Sequence, residues 1–276
     1  MSRFFRWCLL TLVVACLPFL LGAGGCGDSG VMVIDEASEI SIGKQAAADI
    51  EREYRVLPDH PAAGRVERIG RQVAAASKRP TLPWTFKIVD EQAPNAFALP
   101  GGPIYVTKGL LDLNVSDDEL AGVLAHETAH INQRHSAKRI EQALAIAIVS
   151  DIALGRADNM TRAAVGLAVQ IGIELPHSRT AEYEADALGI RLAYNGGYAA
   201  HGLVDFLKRL DAMPNAQTSP EWMQSHPATK ARIERTGKIV TEVTALPRPV
   251  PIELSAYDKK ALKGLPADEP APAKNQ

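Results

Sequence analysis

The segment from Ser116 to Ile131 constrains the fold most, because it reads as a helix that cannot be left in solvent. Ser116-Asp117-Asp118-Glu119 fits a capping box, in which the serine hydroxyl serves an orphan N–H and Glu119 reaches back. Two aspartates in the first turn also suit the helix dipole. Apolar Leu120, Val123, Leu124, Ala125, Ala129 and Ile131 then surround three ionisable side chains, His126, Glu127 and His130. Burying such groups without partners costs roughly 2–7 kcal/mol each, and a metal ion is one partner that serves several at once.

Residues four apart share a helix face, so His126 and His130 can present two imidazoles to one metal. Glu127 projects beside them, placed to take a proton from a metal-polarised water that attacks a carbonyl. This is the HExxH arrangement of zinc peptidases, in which the metal lowers the pKa of water toward about 7. The bland alternative is a surface helix with two solvated histidines and a salt-bridging glutamate; the apolar surroundings argue against it. A catalytic zinc takes three protein ligands and keeps one position open. The only cysteines are Cys8, Cys16 and Cys26, so the body of the chain offers no thiolate. Of the other histidines, His135 lies five residues beyond His130 and is expected to point elsewhere on the helix. Carboxylates in the segment Arg179 to Asp186 are better candidates. Glu182 and Asp186 share a face, while Glu184 points away. One of the pair would ligate zinc and the other would take a ring N–H of a ligating histidine, fixing its tautomer. Spacing leaves open which does which. Ligand type favours zinc, one ion per chain, and leaves cobalt or manganese open.

The 276 residues, 46% hydrophobic, are enough for one substantial core. Arg3 and Arg6 precede an apolar run from Trp7 to Leu21, followed by Gly22-Ala23-Gly24-Gly25 and Cys26. This is the layout of a secretory signal. Small residues before a cysteine further resemble a lipoprotein signal, with residues 1–25 removed and Cys26 lipidated; a plain N-terminal anchor is the alternative. Residues 26–37 then read as a tether, 38–245 as the folded domain, and 246–276 as a Pro-rich tail, partly disordered. Periodicity predicts helices over 41–56, 62–76, 140–154, 162–173, 180–194 and 200–213. Strands are predicted at 84–89, 95–99 and 104–107. The fold class is mainly α with a small β-sheet (α+β), a zincin-type domain around the HExxH helix. The apolar stretches at 140–154 and 162–173 fall short of the roughly 18–20 residues a bilayer requires and read as core or plug helices. With 30 basic against 32 acidic residues, a net charge of −2 and 5% aromatics, the chain carries no basic stripe or stacking platform, so nucleic acid is excluded as a partner.

Taken together, Ile42-Gly43-Lys44-Gln45, Asn95 to Gly102, Tyr105 to Leu111, Leu124 to His130, Ser178-Arg179 with Glu182 to Asp186, and His226-Pro227 with Arg232-Ile233 resemble the HtpX-like zinc metallopeptidases. These are gluzincins related to the CAAX prenyl proteases. The likeness is greatest to periplasmic and lipoprotein members of that family and runs from about residue 38 to 237. The resemblance implies that Glu182 is the third zinc ligand and Asp186 its supporting carboxylate. It also implies that His226 occupies the open zinc position as a latency switch. Chemistry allows His226 a second role, as oxyanion stabiliser, and a loop histidine capping the next helix is the plain alternative. The segment Asn95, Ala96, Phe97 and Ala98 looks like the family's active-site edge strand, which pairs with an extended peptide; an ordinary core hairpin is compatible with that. The chain departs from the family's extremes in lacking further transmembrane helices and the helical repeats that follow the protease domain in some members.

The expectation is a zinc endopeptidase of the bacterial cell envelope acting on unfolded or misassembled polypeptides. It is expected in the periplasm, lipid-anchored through Cys26 to the outer membrane of a Gram-negative bacterium. The rival is a normally latent zinc protein acting mainly as an envelope chaperone or assembly factor. A non-catalytic zinc-stabilised binding module is a third possibility, which Glu127 argues against, because structural zinc needs no base.

Overall fold

The structure, a computed structural model, describes residues 34–154, 164, 166–169, 177–213, 226 and 230–265. The signal segment, Cys26, residues 26–33 of the expected tether, the loop at 214–220 and residues 266–276 lie outside the described residues, as does most of the 162–173 helix.

Helix α1 (Glu36–Glu53) starts five residues earlier than periodicity predicts, because Asp35 caps it: its carboxylate accepts from Ser38 N at 2.7 Å. Ile42, Ala46 and Ile50 face the core. Helix α2 (Ala63–Ala75) buries Val66, Ile69 and Val73, as its period requires. Three strands follow, β1 (Thr85–Val89), β2 (Ala96–Ala98) and β3 (Pro103–Thr107), in the order β1-β3-β2. β1 runs parallel to β3, with Ile88 opposite Val106, and β2 runs antiparallel to β3, with Phe97 opposite Tyr105. The outer side of β1 is closed by the Arg55–Leu57 segment: Leu57 N donates to Ile88 O at 2.8 Å and Asp90 N to Arg55 O at 2.9 Å. The three-residue β2 forms the other edge of the sheet. Thr107 fixes the entry to it, because its hydroxyl oxygen accepts from Asn95 N at 2.8 Å and donates to Ala93 O at 2.8 Å.

Short α3 (Lys108–Asp112) leads to α4 (Asp117–Asn132) at the centre of the domain. The expected capping box is present, with Ser116 Oγ accepting from Glu119 N at 3.1 Å and Glu119 Oε2 from Ser116 N at 2.8 Å. Every residue of α4 from Glu119 to Ile131 is buried. It packs against α2, β2, α6 (Arg179–Asn195) and α7 (Gly202–Asp211). Two crossings need glycine. A Cβ on Gly122 would lie 2.4 Å from Leu203 N, and one on Gly189 would lie 3.0 Å from the His126 backbone N and Cα. Helix α4 is followed by α5 (His135–Leu154). The break between them is Arg134, at φ 58°, a left-handed conformation costing about 1–2 kcal/mol outside glycine. It is held by its own guanidinium, which donates to Glu39 Oε2 at 2.9 Å and to Ile34 O.

The stretch expected as a Pro-rich, partly disordered tail contains an ordered element among its described residues. After α8 (Lys230–Thr244), helix α9 (Ala256–Lys263) forms, capped reciprocally by Ser255 and Asp258. Asp258 is fully buried and paired with Arg191 of α6 at 2.7 Å. A buried ion pair to α6 ties this stretch to the rest of the domain. None of the described helices is long and apolar enough to cross a membrane.

Candidate metal centre

His126, Glu127 and His130 project from the middle of α4, and Glu182 and Asp186 from the first two turns of α6. The Gly189 crossing brings the two helices together at backbone distance. His126 Nε2 lies 3.1 Å from His130 Nε2 and 3.5 Å from Glu182 Oε2, and His130 Nε2 lies 3.4 Å from Glu182 Oε1. His226 closes the group, its Nδ1 3.2 Å from His126 Nε2 and 2.7 Å from Glu182 Oε1. All four residues are buried, with one donor atom from each lying within 4.8 Å of the others.

These donors fit a metal ion. Bonds of about 2.0–2.1 Å in a tetrahedron place neighbouring donor atoms about 3.3 Å apart, close to the observed separations. Charge points the same way: three buried carboxylates, Glu127, Glu182 and Asp186, face one buried guanidinium, Arg232, and the excess of carboxylate over guanidinium suits a cation. Burial opposes charge on His126, but Asp186 and Glu182 outweigh it and raise its pKa to about 9. Burial, then the neighbouring His177, holds His130 well below the ordinary imidazole value. Burial would raise Glu182, but His226 and Arg232 hold it well below the usual carboxylate range. The pocket thus favours positive charge on His126, disfavours it on His130 and keeps Glu182 ionised.

Glu127 is 1% exposed, its Oε1 3.5 Å from His226 Nε2. Asp186 Oδ1 lies 3.0 Å from His126 Nδ1, so it can accept that ring N–H and leave the Nε2 lone pair for a metal. β2, with Ala96, Phe97 and Ala98 just after Asn95, packs against α4 at the sheet edge. The structure therefore brings His126, Glu127, His130, Glu182, Asp186 and His226 into one cluster and leaves Asn95–Ala98 on a neighbouring element.

Three residues go beyond the sequence reading. Arg232 is 2% exposed and donates to both Asp186 oxygens at 2.8 Å and to the His226 carbonyl at 3.0 Å. It also pairs with Glu182 Oε2 at 2.9 Å. Its place after the His-Pro motif was the available signal. His177 packs on His130 with ring centroids 4.0 Å apart. His135 is a correction: it does not point away. The Arg134 break starts a new helix and turns it back, so that its Nδ1 is 2.9 Å from His130 Nδ1. Glu184 does face away from the donors, as expected, and meets His135 Nε2 at 3.1 Å.

The family model for peptidase family M48 matches residues 61–240, which includes the whole cluster. The chain belongs to peptidase family M48. Among its M48 relatives, the mitochondrial metalloendopeptidase OMA1 of Schizosaccharomyces pombe is 32% identical over 201 residues, covering 71% of this chain and 59% of that protein. The putative beta-barrel assembly-enhancing protease of Vibrio cholerae is 31% identical over 179 residues, 61% of this chain and 37% of that protein. Metalloprotease YcaL of Escherichia coli is 26% identical over 209 residues, 73% of this chain and 79% of that protein. The chain thus spans less than two thirds of the first two relatives. The matches correct the expected location. OMA1 relatives carrying a mitochondrial name recur across fungi, a plant and a fish, and they overturn the expectation of a periplasmic protein lipid-anchored to a bacterial outer membrane.

Proposed function

We propose that this M48 chain is a zinc-dependent endopeptidase that cleaves unfolded or misassembled polypeptides. In this reading His126, His130 and Glu182 hold zinc and Glu127 is the general base. Within the family we place it with the HtpX-like gluzincins related to the CAAX prenyl proteases, on its ordered set of motifs. The observation that carries the proposal is the gathering of four buried donors, one atom from each within 4.8 Å of the others, beside the buried Glu127. Bound zinc would supply Lewis-acid polarisation and a water pKa near about 7. Glu127 takes a proton from the attacking water at its carboxylate and returns it to the leaving amine nitrogen. Asp186 holds the His126 ring, and Arg232 holds Asp186. The β2 edge pairs with an extended substrate through main-chain hydrogen bonds, which accepts many sequences and suits unfolded chains.

A second reading, a normally latent zinc protein acting mainly as a chaperone or assembly factor, is favoured by His226. Its ring nitrogen lies 2.7 Å from Glu182, where it fills the fourth donor position that a substrate carbonyl or water needs. Casein cleavage with and without chelator tests both readings. Glu127→Gln is expected to keep one zinc per chain and lose cleavage; persistent cleavage refutes the mechanism. His226→Ala is expected to raise cleavage if it enforces latency, whereas loss of cleavage assigns it to oxyanion stabilisation.

A further inference from the structure

His126 and His130 differ in how their outer ring nitrogens are served. His126 Nδ1 faces the Asp186 carboxylate directly. His130 Nδ1 faces another imidazole, His135, at 2.9 Å, with the two rings edge to face and 4.9 Å between centroids. His135 in turn places Nε2 3.1 Å from Glu184 Oε2. His135 is 6% exposed, and the Glu184 side chain is 23% exposed.

With His135 neutral and the His130 Nε2 lone pair given to a metal, one proton arrangement satisfies this chain. A carboxylate can only accept, so His135 Nε2 carries a proton and donates to Glu184. Neutral His135 is then bare at Nδ1, where it accepts from His130 Nδ1–H. His130 in turn is bare at Nε2, the atom that joins the donor group at 3.1 Å from His126 Nε2. The carboxylate at the far end thus fixes two tautomers in series. We infer that His135 and Glu184 are positioning residues, a two-member relay that holds the His130 ring and keeps its Nε2 lone pair aimed at the metal. The relay exists because the chain leaves helical geometry at Arg134. On a continuous helix, a residue five positions on would lie well round the axis from His130. Arg134 keeps its left-handed conformation through Glu39 and Ile34, so α1 contributes to the orientation of a metal ligand that it does not touch.

The inference rests on His130 being a zinc ligand, and the experiment separates the two. Zinc dissociation constants are measured on the full chain by competition with a chromophoric chelator, for wild type and for His135→Leu, His135→Asn, Glu184→Leu and Glu184→Gln. The leucine variants remove a relay acceptor and are expected to weaken zinc binding about 10- to 100-fold. Asn and Gln keep an acceptor oxygen near the lost atom and are expected to stay within about threefold of wild type. The d–d spectrum of the cobalt-loaded protein is expected to shift in the leucine variants only. The urea midpoint in excess chelator is expected to be the same in all of them, since the relay acts on the ligand rather than on the fold. Leucine variants that bind zinc like wild type overturn the relay while leaving the metal site standing. Asn or Gln variants as weak as leucine reduce it to packing. A wild-type chain that takes up no zinc overturns the ligand assignment and the relay with it.

Discussion

Replacing Asp258 with alanine should destabilise the protease domain, although Asp258 lies in a stretch whose sequence reads as tail. Its carboxylate is fully buried, pairs with Arg191 at 2.7 Å, accepts from Ser255 N at 2.8 Å and lies 3.4 Å from the Tyr183 hydroxyl. Removing one partner of a buried pair costs about 3–5 kcal/mol, because the other charge stays buried. Arg191 keeps the Ala187 carbonyl at 2.6 Å and Glu242 at 3.2 Å, so the lower end of that range applies. Loss of the reciprocal cap on α9 adds about 1 kcal/mol. The expected loss is therefore about 4 kcal/mol, out of the roughly 5–15 kcal/mol that holds a domain folded. Urea unfolding followed by circular dichroism reads it directly. Asp258→Leu combined with Arg191→Met removes both charges and should recover most of the loss, since apolar replacement of a whole buried pair is often neutral or better. A loss below about 1 kcal/mol for Asp258→Ala, the scale of an exposed pair, would refute the claim that α9 is integral to the fold.

Gly122→Ala would place a Cβ 2.4 Å from Leu203 N and 2.7 Å from its Cα. Overpacking of about 1–3 kcal/mol then outweighs the roughly 1 kcal/mol of helix propensity gained; a urea midpoint at or above wild type would contradict the close approach. Glu119 has its pKa held below the ordinary 4.5 because Arg209 and the Ser116 N–H outweigh the burial that would raise it. A depressed carboxylate stabilises the fold above its unfolded value, and that contribution is lost as pH falls through the folded one. The stability advantage of wild type over Glu119→Gln should therefore shrink below pH 4.5; urea midpoints across that range that keep a constant gap would exclude the effect.

Local chemistry made much of this site legible. The Ser116 cap, the His126–His130 spacing and the Glu182–Asp186 spacing depend on helical periods and short-range hydrogen bonds, and the structure reproduces each. What escaped depends on contacts distant in sequence. His135 was misplaced because nothing at Arg134 marks a left-handed residue; its conformation is held from Glu39, 95 positions away. Arg232 stood in a recognised motif, yet its role required Asp186, 46 positions back, to be folded beside it. Helix α9 was hidden by the prolines around it, and its stabilising partner, Arg191, lies 67 positions upstream. The early start of α1 was a local miss, since Asp35 is an ordinary N-cap residue, and so was helix α8, which no predicted helix covers.

The Gly189 crossing sets a dimension that side chains elsewhere do not control. Glu182 and the two α4 histidines come from different helices, and their separation is decided where α6 backbone meets α4 backbone at His126. A spacing set by side-chain packing would drift with every swap of leucine for methionine in the core. One set by main chain against main chain is the same for any core that keeps the two helices in contact. The apolar interior of this domain can therefore change its composition freely while the bite offered to the ion stays constant, so that tolerance to mutation and accuracy of coordination are not in conflict.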